Sequence, residues 1–358
     1  MENEAVNRVG GEDWLMDWMT AMQLPRFNRR GTLRVVREWG LSAWLSGVEP
    51  GLLAGARERA VRHLDILRNE GVEALVRGHR GYPHALDQVP DAPWVLFVKG
   101  PLEVLSGPRP VAVVGTRKAS SLGLSAVEGV LEGMRDLPWT LVSGMAEGID
   151  AAAHRAALAR GVPTVACLAH GLHAVHPRSN VALAERILDA GGCWVSEYRW
   201  GTPPTKYTFP ARNRVIAGLS QCVTVVESND PGGSLITARL AQDYDRRVFA
   251  LSPAWCAAGM KGNARLIQEH VAELLHMPED LPLAMGWRKS TDVDDGRPQR
   301  KKDSPLMTVL DPYVSMSFDA IVAAMGGDRN GVRRALLEGE LEGWVRAWAG
   351  DRFTRTIR

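Results

Sequence analysis

At 358 residues the chain is too long for one small domain, and two or three are expected. Hydrophobic residues are 45% and charged residues 23%, as in an ordinary folded protein, and 43 Lys and Arg against 41 Asp and Glu leave a formal charge of +2. The overall balance therefore supplies no attraction for a polyanion, and a nucleic-acid partner needs a local basic patch. Cys167, Cys193, Cys222 and Cys256 are far apart and never form C-x-x-C. They read as free thiols in a reducing cytosol, and zinc is not expected. No apolar run reaches the ~18 residues of a membrane span, and the acidic start MENEAVNRVGGEDW is no signal peptide, so a cytoplasmic location is expected.

Residues 1–80 read as a helical module. LMDWMTAMQL, GTLRVVREWGLSAWL and GLLAGARERAVRHLDIL carry apolar residues three and four apart, broken by Gly and Pro. Arg26, Arg29, Arg30 and Arg34 give it a positive side, either a solvated helix face or a nucleic-acid contact. The module has a weak helix-hairpin-helix-like or SAM-like character. Residues 81–106 form a Pro-rich lead-in arm containing one strand candidate, WVLFVKG, and are expected to lie across the following domain.

From 110 short β-branched runs alternate with helical stretches. Strands are expected at 111–115, 140–144, 163–168, 193–197, 222–227 and 247–252. Helices are expected at 121–135, 148–160, 178–190, 211–219 and 234–244. Near-continuous apolar strands separated by helices predict a doubly wound, mostly parallel Rossmann-like sheet over 81–285. Residues 286–306 read as a charged linker, whose run RPQRKK is either solubilising or a nucleic-acid contact. Residues 307–358 read as helix, turn, helix and a hairpin around Gly350, an order that suits a winged helix.

Ligands of open parallel sheets bind beyond the carboxyl ends of the strands. Those positions hold Gly115, Arg117 and Lys118, then Ser143 and Gly144, then Lys206 and Phe209, and finally Gly232, Gly233 and Ser234. Glycine lets backbone approach a phosphate closely, helix N-termini offer free N–H groups, and arginine forks onto phosphate oxygens. Several such turns suit the successive phosphates of a nucleic-acid strand. Arg212 and Arg214 are expected at a helix start, where cations oppose the dipole and so suggest phosphate contact. Phe209 is either a core aromatic or a base-stacking platform. The turn G-T-R-K-x-S-S-x-G is neither G-x-G-x-x-G nor a Walker A sequence, so no dinucleotide or ATP cofactor is expected. His154, His170, His173 and His176 are spread over a helix, a turn and a loop, which disfavours a metal. Neither a nucleophile elbow around Ser143 or Ser234 nor an acid/base pair among Asp150, Glu197 and Glu227 is evident.

VAVVGTRKASSLG, LVSGMAEGIDAAAHRAAL, GLHAVHPRSNVALAERI, TFPARNRVIAGLSQCVTVVES and GGSLITARLAQDYDRRVFAL, in that order over about residues 80–275, resemble the DNA-processing protein A family, also called Smf. The resemblance implies an extended Rossmann-like fold that binds single-stranded DNA. It also implies protection of incoming strands in natural transformation and competence, loading of the RecA recombinase in DNA recombination, a homodimer, and no catalysis. By motif, Arg117 is the basic residue of the first βα turn. Lys206, Phe209, Arg212, Asn213 and Arg214 line the strand groove, and Gly233, Ser234 and Thr237 form a phosphate-facing turn. The chain departs from the family pattern at Ala169–His173, at His176-Pro177, at Glu147 where a cation is usual, and at Ala254. An alternative is a lysine-decarboxylase-like phosphoribohydrolase, whose P-G-G-x-G-T-x-x-E turn is approached by PGGSLITAR. Arg239 sits near where that enzyme's glutamate is expected.

Overall fold

The computed structural model describes residues 11–24, 40–252, 258–288, 305–312, 314–341 and 344–356. Arg26, Arg29, Arg30, Arg34, Ala254, Cys256 and the RPQRKK run lie outside the described residues.

Helices α1 (Gly11–Ala21), α2 (Leu41–Ser46) and α3 (Pro50–Asn69) precede strand β1 (Val72–Val76). The strand corrects the expectation of an all-helical stretch to residue 80. VEALV has too few residues to show a period, and only its partner identifies it: β1 pairs antiparallel with β2 (Val95–Lys99), the WVLFVKG segment of the lead-in arm, with Val72 opposite Lys99. Between them, α4 (His84–Asp87) is a single turn.

The alternation then runs β3 (Pro110–Val114), α5 (Ser121–Glu132), β4 (Thr140–Ser143), α6 (Ile149–Ala159), β5 (Thr164–Cys167), α7 (Val181–Asp189) and β6 (Cys193–Ser196). It continues through α8 (Thr208–Leu219), β7 (Cys222–Val225), α9 (Gly233–Asp243), β8 (Arg247–Leu251), α10 (Lys261–Gln268), β9 (Glu273–Leu275) and α11 (Asp280–Ala284). Among the described residues these strands make one nine-stranded sheet in the order β1-β2-β6-β5-β4-β3-β7-β8-β9. Every pairing from β6 to β9 is parallel, while β2 meets β6 antiparallel, so the arm extends the sheet instead of lying over it.

The strands from β2 to β7 are buried on both faces along nearly their whole length, which is why they read as continuous apolar runs. One core joins Leu86, Val215, Ile216, Ala238 and Leu266 beneath α8 to α10, and another joins Val127, Leu131, Ile149 and Ala157 beneath α5 and α6. A third runs from Trp18, Ala60 and Leu64 of the N-terminal helices to Phe97, Leu168 and Trp194. Trp18 stacks on Trp94 with ring centroids 4.7 Å apart, seating the N-terminal helices on the arm. Cys167, Cys193 and Cys222 are buried free thiols, and burial pushes the Cys167 thiol up to about 12. Among the described residues no helix is long and apolar enough to cross a membrane.

The C-terminal part contains α12 (Pro305–Val309), β10 (Met316–Ser317), α13 (Phe318–Ala324), α14 (Arg329–Leu341), β11 (Val345–Trp348) and β12 (Arg352–Arg355) around Ile321, Val332 and Leu336. Its sheet runs β10-β12-β11.

Candidate nucleic-acid interface

The chain passes from β3 through β4 and β5 to β6, and only then returns to place β7 on the other side of β3. An α/β sheet opens a crevice at the carboxyl ends of its strands where the order reverses in this way. Here that crevice is a cleft of about 650 Å³. Gly115, Thr116 and Arg117 line it after β3, and Ser228, Pro231, Gly232 and Gly233 after β7. Lys206, Phe209, Arg212 and Asn213 come from the entry to α8 and its first turns.

The turn after β3 is pinned from two sides. The Thr116 amide donates to the Glu227 carbonyl at 2.7 Å, and the Thr116 carbonyl accepts from Ile149 N–H at 3.2 Å. A Cβ on Gly115 would lie 2.6 Å from Ile149 Cγ1 and 2.8 Å from the Glu227 carbonyl, so glycine is required by close approach. Arg117 remains exposed, with Cζ 4.8 Å from the centroid of the Phe209 ring. Lys118 is exposed but does not line the cleft, and its amide donates to Thr116 Oγ1. Gly123 likewise faces away from the cleft. A Cβ there would sit 2.0 Å from Glu227 Oε2, the oxygen that accepts from Ser120 N–H and Oγ–H, while Ser120 Oγ accepts from Gly123 N–H and caps α5.

Helix α8 starts at Thr208, three residues before the expected position. Pro210 lies in its first turn, where a missing N–H breaks no helical bond. Thr205 Oγ1 accepts from Thr208 N–H, and Thr208 Oγ1 accepts from Thr205 N–H at 2.9 Å, which closes the helix start reciprocally. Arg212 and Arg214 both lie inside this helix. Residues two apart on a helix point about 200° from one another, so Arg212 and Arg214 cannot face one groove. The set spaced by three and four, Phe209, Arg212, Asn213 and Ile216, lines the cleft together with Pro210 of the first turn.

Arg212 is only 5% exposed. Its Nη1 donates to the carbonyls of both Gly144 and Cys167, tying the ends of β4 and β5, and its Nε donates to Asn213 Oδ1 at 3.3 Å. A Cβ on Gly144 would lie 2.6 Å from Arg212 Cζ, so only glycine leaves room for this guanidinium. Burial lowers the Arg212 pKa from its ordinary value, and Asp150 opposes that shift. Burial likewise raises the Asp150 carboxyl against the pull of Arg212. Arg214 points to the other side, where it donates to the Asp91 carbonyl and forms an ion pair with buried Glu197, fastening α8 to the arm. Ser143, a residue expected in a phosphate turn, instead donates its hydroxyl to the Val113 carbonyl at 2.7 Å inside the sheet.

The opposite wall is the start of α9. Gly233 has open space around its Cα, and its carbonyl accepts from Asn213 Nδ2 at 3.3 Å. Ser234 and Thr237 are buried lining residues, and Ser234 Oγ donates to Ser228 Oγ at 2.8 Å. Asn213 thus links Arg212 to the α9 start. Asn263, a residue sequence reasoning passed over, fixes this wall from below. It is fully buried, accepts from Ser228 N–H at 2.9 Å and donates to the carbonyls of Val225 and Val226. Its signal is an asparagine on the face of α10 that buries Gly262 and Leu266.

Among the described residues no His, Cys, Asp or Glu group is arranged to hold a metal. Asp150 is the carboxylate among the lining residues, and Arg239 pairs on the surface with Glu269 at 2.8 Å. Asp230, the carboxylate next to PGGSLITAR, pairs with Arg265 at 3.0 Å and is not among the lining residues. Glu147, at the position of a usual family cation, accepts from Ser179 Oγ at 2.9 Å.

The sequence model of DNA recombination-mediator protein A matches residues 73–285. The protein Smf of Escherichia coli is 36% identical over 278 residues, covering 75% of this chain and 74% of Smf. The DNA processing protein DprA of Streptococcus pneumoniae is 43% identical over 188 residues, 52% of this chain and 66% of DprA. The crystal structure of the pneumococcal protein superposes with a TM-score of 0.64 at 32% identity, over 75% of this chain and 97% of that one. DNA processing protein A from Helicobacter pylori, described for its single-stranded DNA binding mode, superposes with a TM-score of 0.54 at 26% identity, over 60% of this chain and 96% of that one. By motif order, by fold and by these likenesses, the chain belongs to the DNA recombination-mediator protein A family, whose members are the DNA-processing proteins DprA and Smf.

Proposed function

We propose that the cleft over β3 and β7 holds the backbone of single-stranded DNA, without strong sequence preference and without turnover. The observation that carries this reading is the convergence of exposed Arg117 and Lys206, half-buried Phe209 and the α9 N-terminus on one cleft at the topological switch. Cations and a helix N-terminus suit phosphates, and an aromatic at the mouth suits an unpaired base. The described binding mode of the Helicobacter pylori relative supports the same ligand. In this reading Arg117, Lys206, Asn213, Gly233 and Ser234 meet the strand, while Arg212 and Gly144 build the floor beneath it and Arg214 braces α8.

On the family resemblance we assign to the protein the protection of incoming strands and the loading of the RecA recombinase, as a cytoplasmic homodimer. The order α12-β10-α13-α14-β11-β12 supports a winged helix at 307–358, joined by a linker to the Rossmann-like domain at 81–285 and the N-terminal helical module. A gel shift with single- and double-stranded oligonucleotides of equal length tests the ligand. The single strand is expected to shift at the lower protein concentration, and equal or preferential retention of the duplex contradicts the assignment.

A further inference from the structure

The loops after β5 and β6 are joined to one another beside the cleft. The Gly171 amide donates to the Thr202 carbonyl at 3.0 Å, and the Gly201 amide donates to His173 Nδ1 at 3.1 Å. Buried His170 supports them from below. One ring nitrogen bonds the Gly171 carbonyl at 2.9 Å, the other accepts from His176 N–H at 3.2 Å, and the His170 carbonyl accepts from Ser196 Oγ at 2.6 Å. The result is a stiff double loop that holds His173 and His176 exposed and Trp200 half-buried.

These rings are continuous with the cleft. The His176 ring lies 5.9 Å from Phe209, tilted by 52°, on a ring that also carries Arg117 at 4.8 Å. Farther along, His173 lies 6.0 Å from Trp200, tilted by 58°. Three separate segments thus supply the row Arg117, Phe209, His176, and the same double loop adds the pair His173 and Trp200. With a metal disfavoured by spacing, the histidines have no other assigned task. A row of flat rings starting at a phosphate cleft, with His173 and His176 exposed and Phe209 and Trp200 half-buried, matches a strand whose phosphates lie in the cleft and whose bases turn outward.

We propose that the double loop is a second base-stacking platform, on which His176, His173 and Trp200 take unpaired bases of the strand after it leaves the cleft at Phe209. This rests on the single-strand reading of the cleft, and it lengthens the occluded site beyond what the cleft alone holds. Neutral rings suffice, since stacking uses the face of the ring and leaves the His173 bond to Gly201 in place.

The test is fluorescence anisotropy with oligo-dT of about 6 and about 16 nucleotides, lengths within the range of single-strand sites. The variants are His173→Ala/His176→Ala and His173→Phe/His176→Phe. Both histidines are exposed and the bond that His173 accepts from Gly201 is solvent-exposed, so a thermal melt is expected to fall only slightly below wild type. On the longer strand the alanine pair is expected to weaken binding by roughly 5-fold to 150-fold, the range of one stacked base. On the shorter strand the change is expected to stay below about 2-fold, and the phenylalanine pair is expected to restore the longer strand's affinity. Unchanged affinity of the alanine pair on both lengths overturns the platform. An equal loss on both lengths, or no rescue by phenylalanine, also overturns it. Arg117→Ala/Lys206→Ala in the same titration reports separately on the cleft. Its failure to weaken either length removes the single-strand reading itself.

Discussion

The guanidinium of Arg117 lies over the ring of Phe209, with Cζ 4.8 Å from its centroid, and so joins the first βα turn to the first turn of α8 across the mouth of the cleft. A cation over an aromatic at a partly exposed site contributes about 0.5–1 kcal/mol. Each residue also faces the proposed strand. Arg117→Ala and Phe209→Ala are therefore expected to weaken oligo-dT binding by about 1–3 kcal/mol each. They are expected to be non-additive by about 0.5–1 kcal/mol in the double variant. Strict additivity in the four-corner titration means that the two side chains act independently.

Arg212 belongs to the frame of the site. Removing it strands the Gly144 and Cys167 carbonyls inside the protein, and a buried group without its partner costs about 1–3 kcal/mol. Arg212→Met is expected to lower the urea unfolding free energy by about 2–5 kcal/mol. Gly144→Ala is expected to move stability the same way, because its methyl displaces the guanidinium. A melting curve of Arg212→Met that overlays wild type refutes the bracing role.

Arg214 and Glu197 give the contrasting case. Their side chains are 15% and 1% exposed, far from the water that weakens surface pairs. Arg214→Ala leaves the Glu197 carboxylate without its guanidinium and is expected to destabilise by about 3–5 kcal/mol, with the double variant Arg214→Met/Glu197→Gln milder. The salt dependence of DNA binding by folded Arg214→Ala is expected to match wild type. A shallower slope instead puts Arg214 on the strand.

His154 predicts a pH dependence. It is fully buried in α6, with Nδ1 2.6 Å from Thr164 Oγ1, and burial lowers its pKa from 6.5 to about 3. A depressed histidine means that the fold favours the neutral ring. Its stabilising contribution is complete above 6.5 and is lost as pH falls from 6.5 toward 3. His63, lowered to about 4 mainly by burial, adds a loss of the same sign. Urea midpoints are expected to drop between about pH 7.5 and about pH 4.5, and to drop less in His154→Leu. An equal drop in that variant assigns the acid sensitivity elsewhere.

Much of this was legible in the sequence, for reasons tied to particular residues. VAVV, TLVS and CVTV read as strands because burial on both faces leaves no polar alternation to confuse them. The cluster of Gly115, Arg117, Lys206, Phe209 and Gly233 was legible because a parallel sheet sends every strand end to one edge. The strand VEALV was not legible, since its pairing with VLFVK is a long-range fact. The first turn of α8 was not legible, because Pro210 looks like a helix boundary although it lies inside that turn. A spacing of two on this helix puts Arg212 and Arg214 on opposite sides, and Arg214 is drawn to Asp91 and Glu197. Whether Arg212 points outward to a phosphate or inward to two carbonyls depends on Gly144, which is distant in sequence. The platform of His173, His176 and Trp200 joins two loops, and no spacing within either one announces it.

The most direct test of the account titrates fluorescent oligo-dT, at two or more salt concentrations, with wild type and with Arg117→Ala/Lys206→Ala. Both cations are exposed, so stability is expected to shift by no more than about 0.5–1 kcal/mol, the contribution of the Arg117–Phe209 contact. The account predicts a loss of about 1–3 kcal/mol per removed contact and a log–log salt slope shallower by roughly 0.7 per removed phosphate contact. Wild-type affinity and slope in a folded double variant contradict it, because the strand then lies somewhere other than the cleft between β3 and β7.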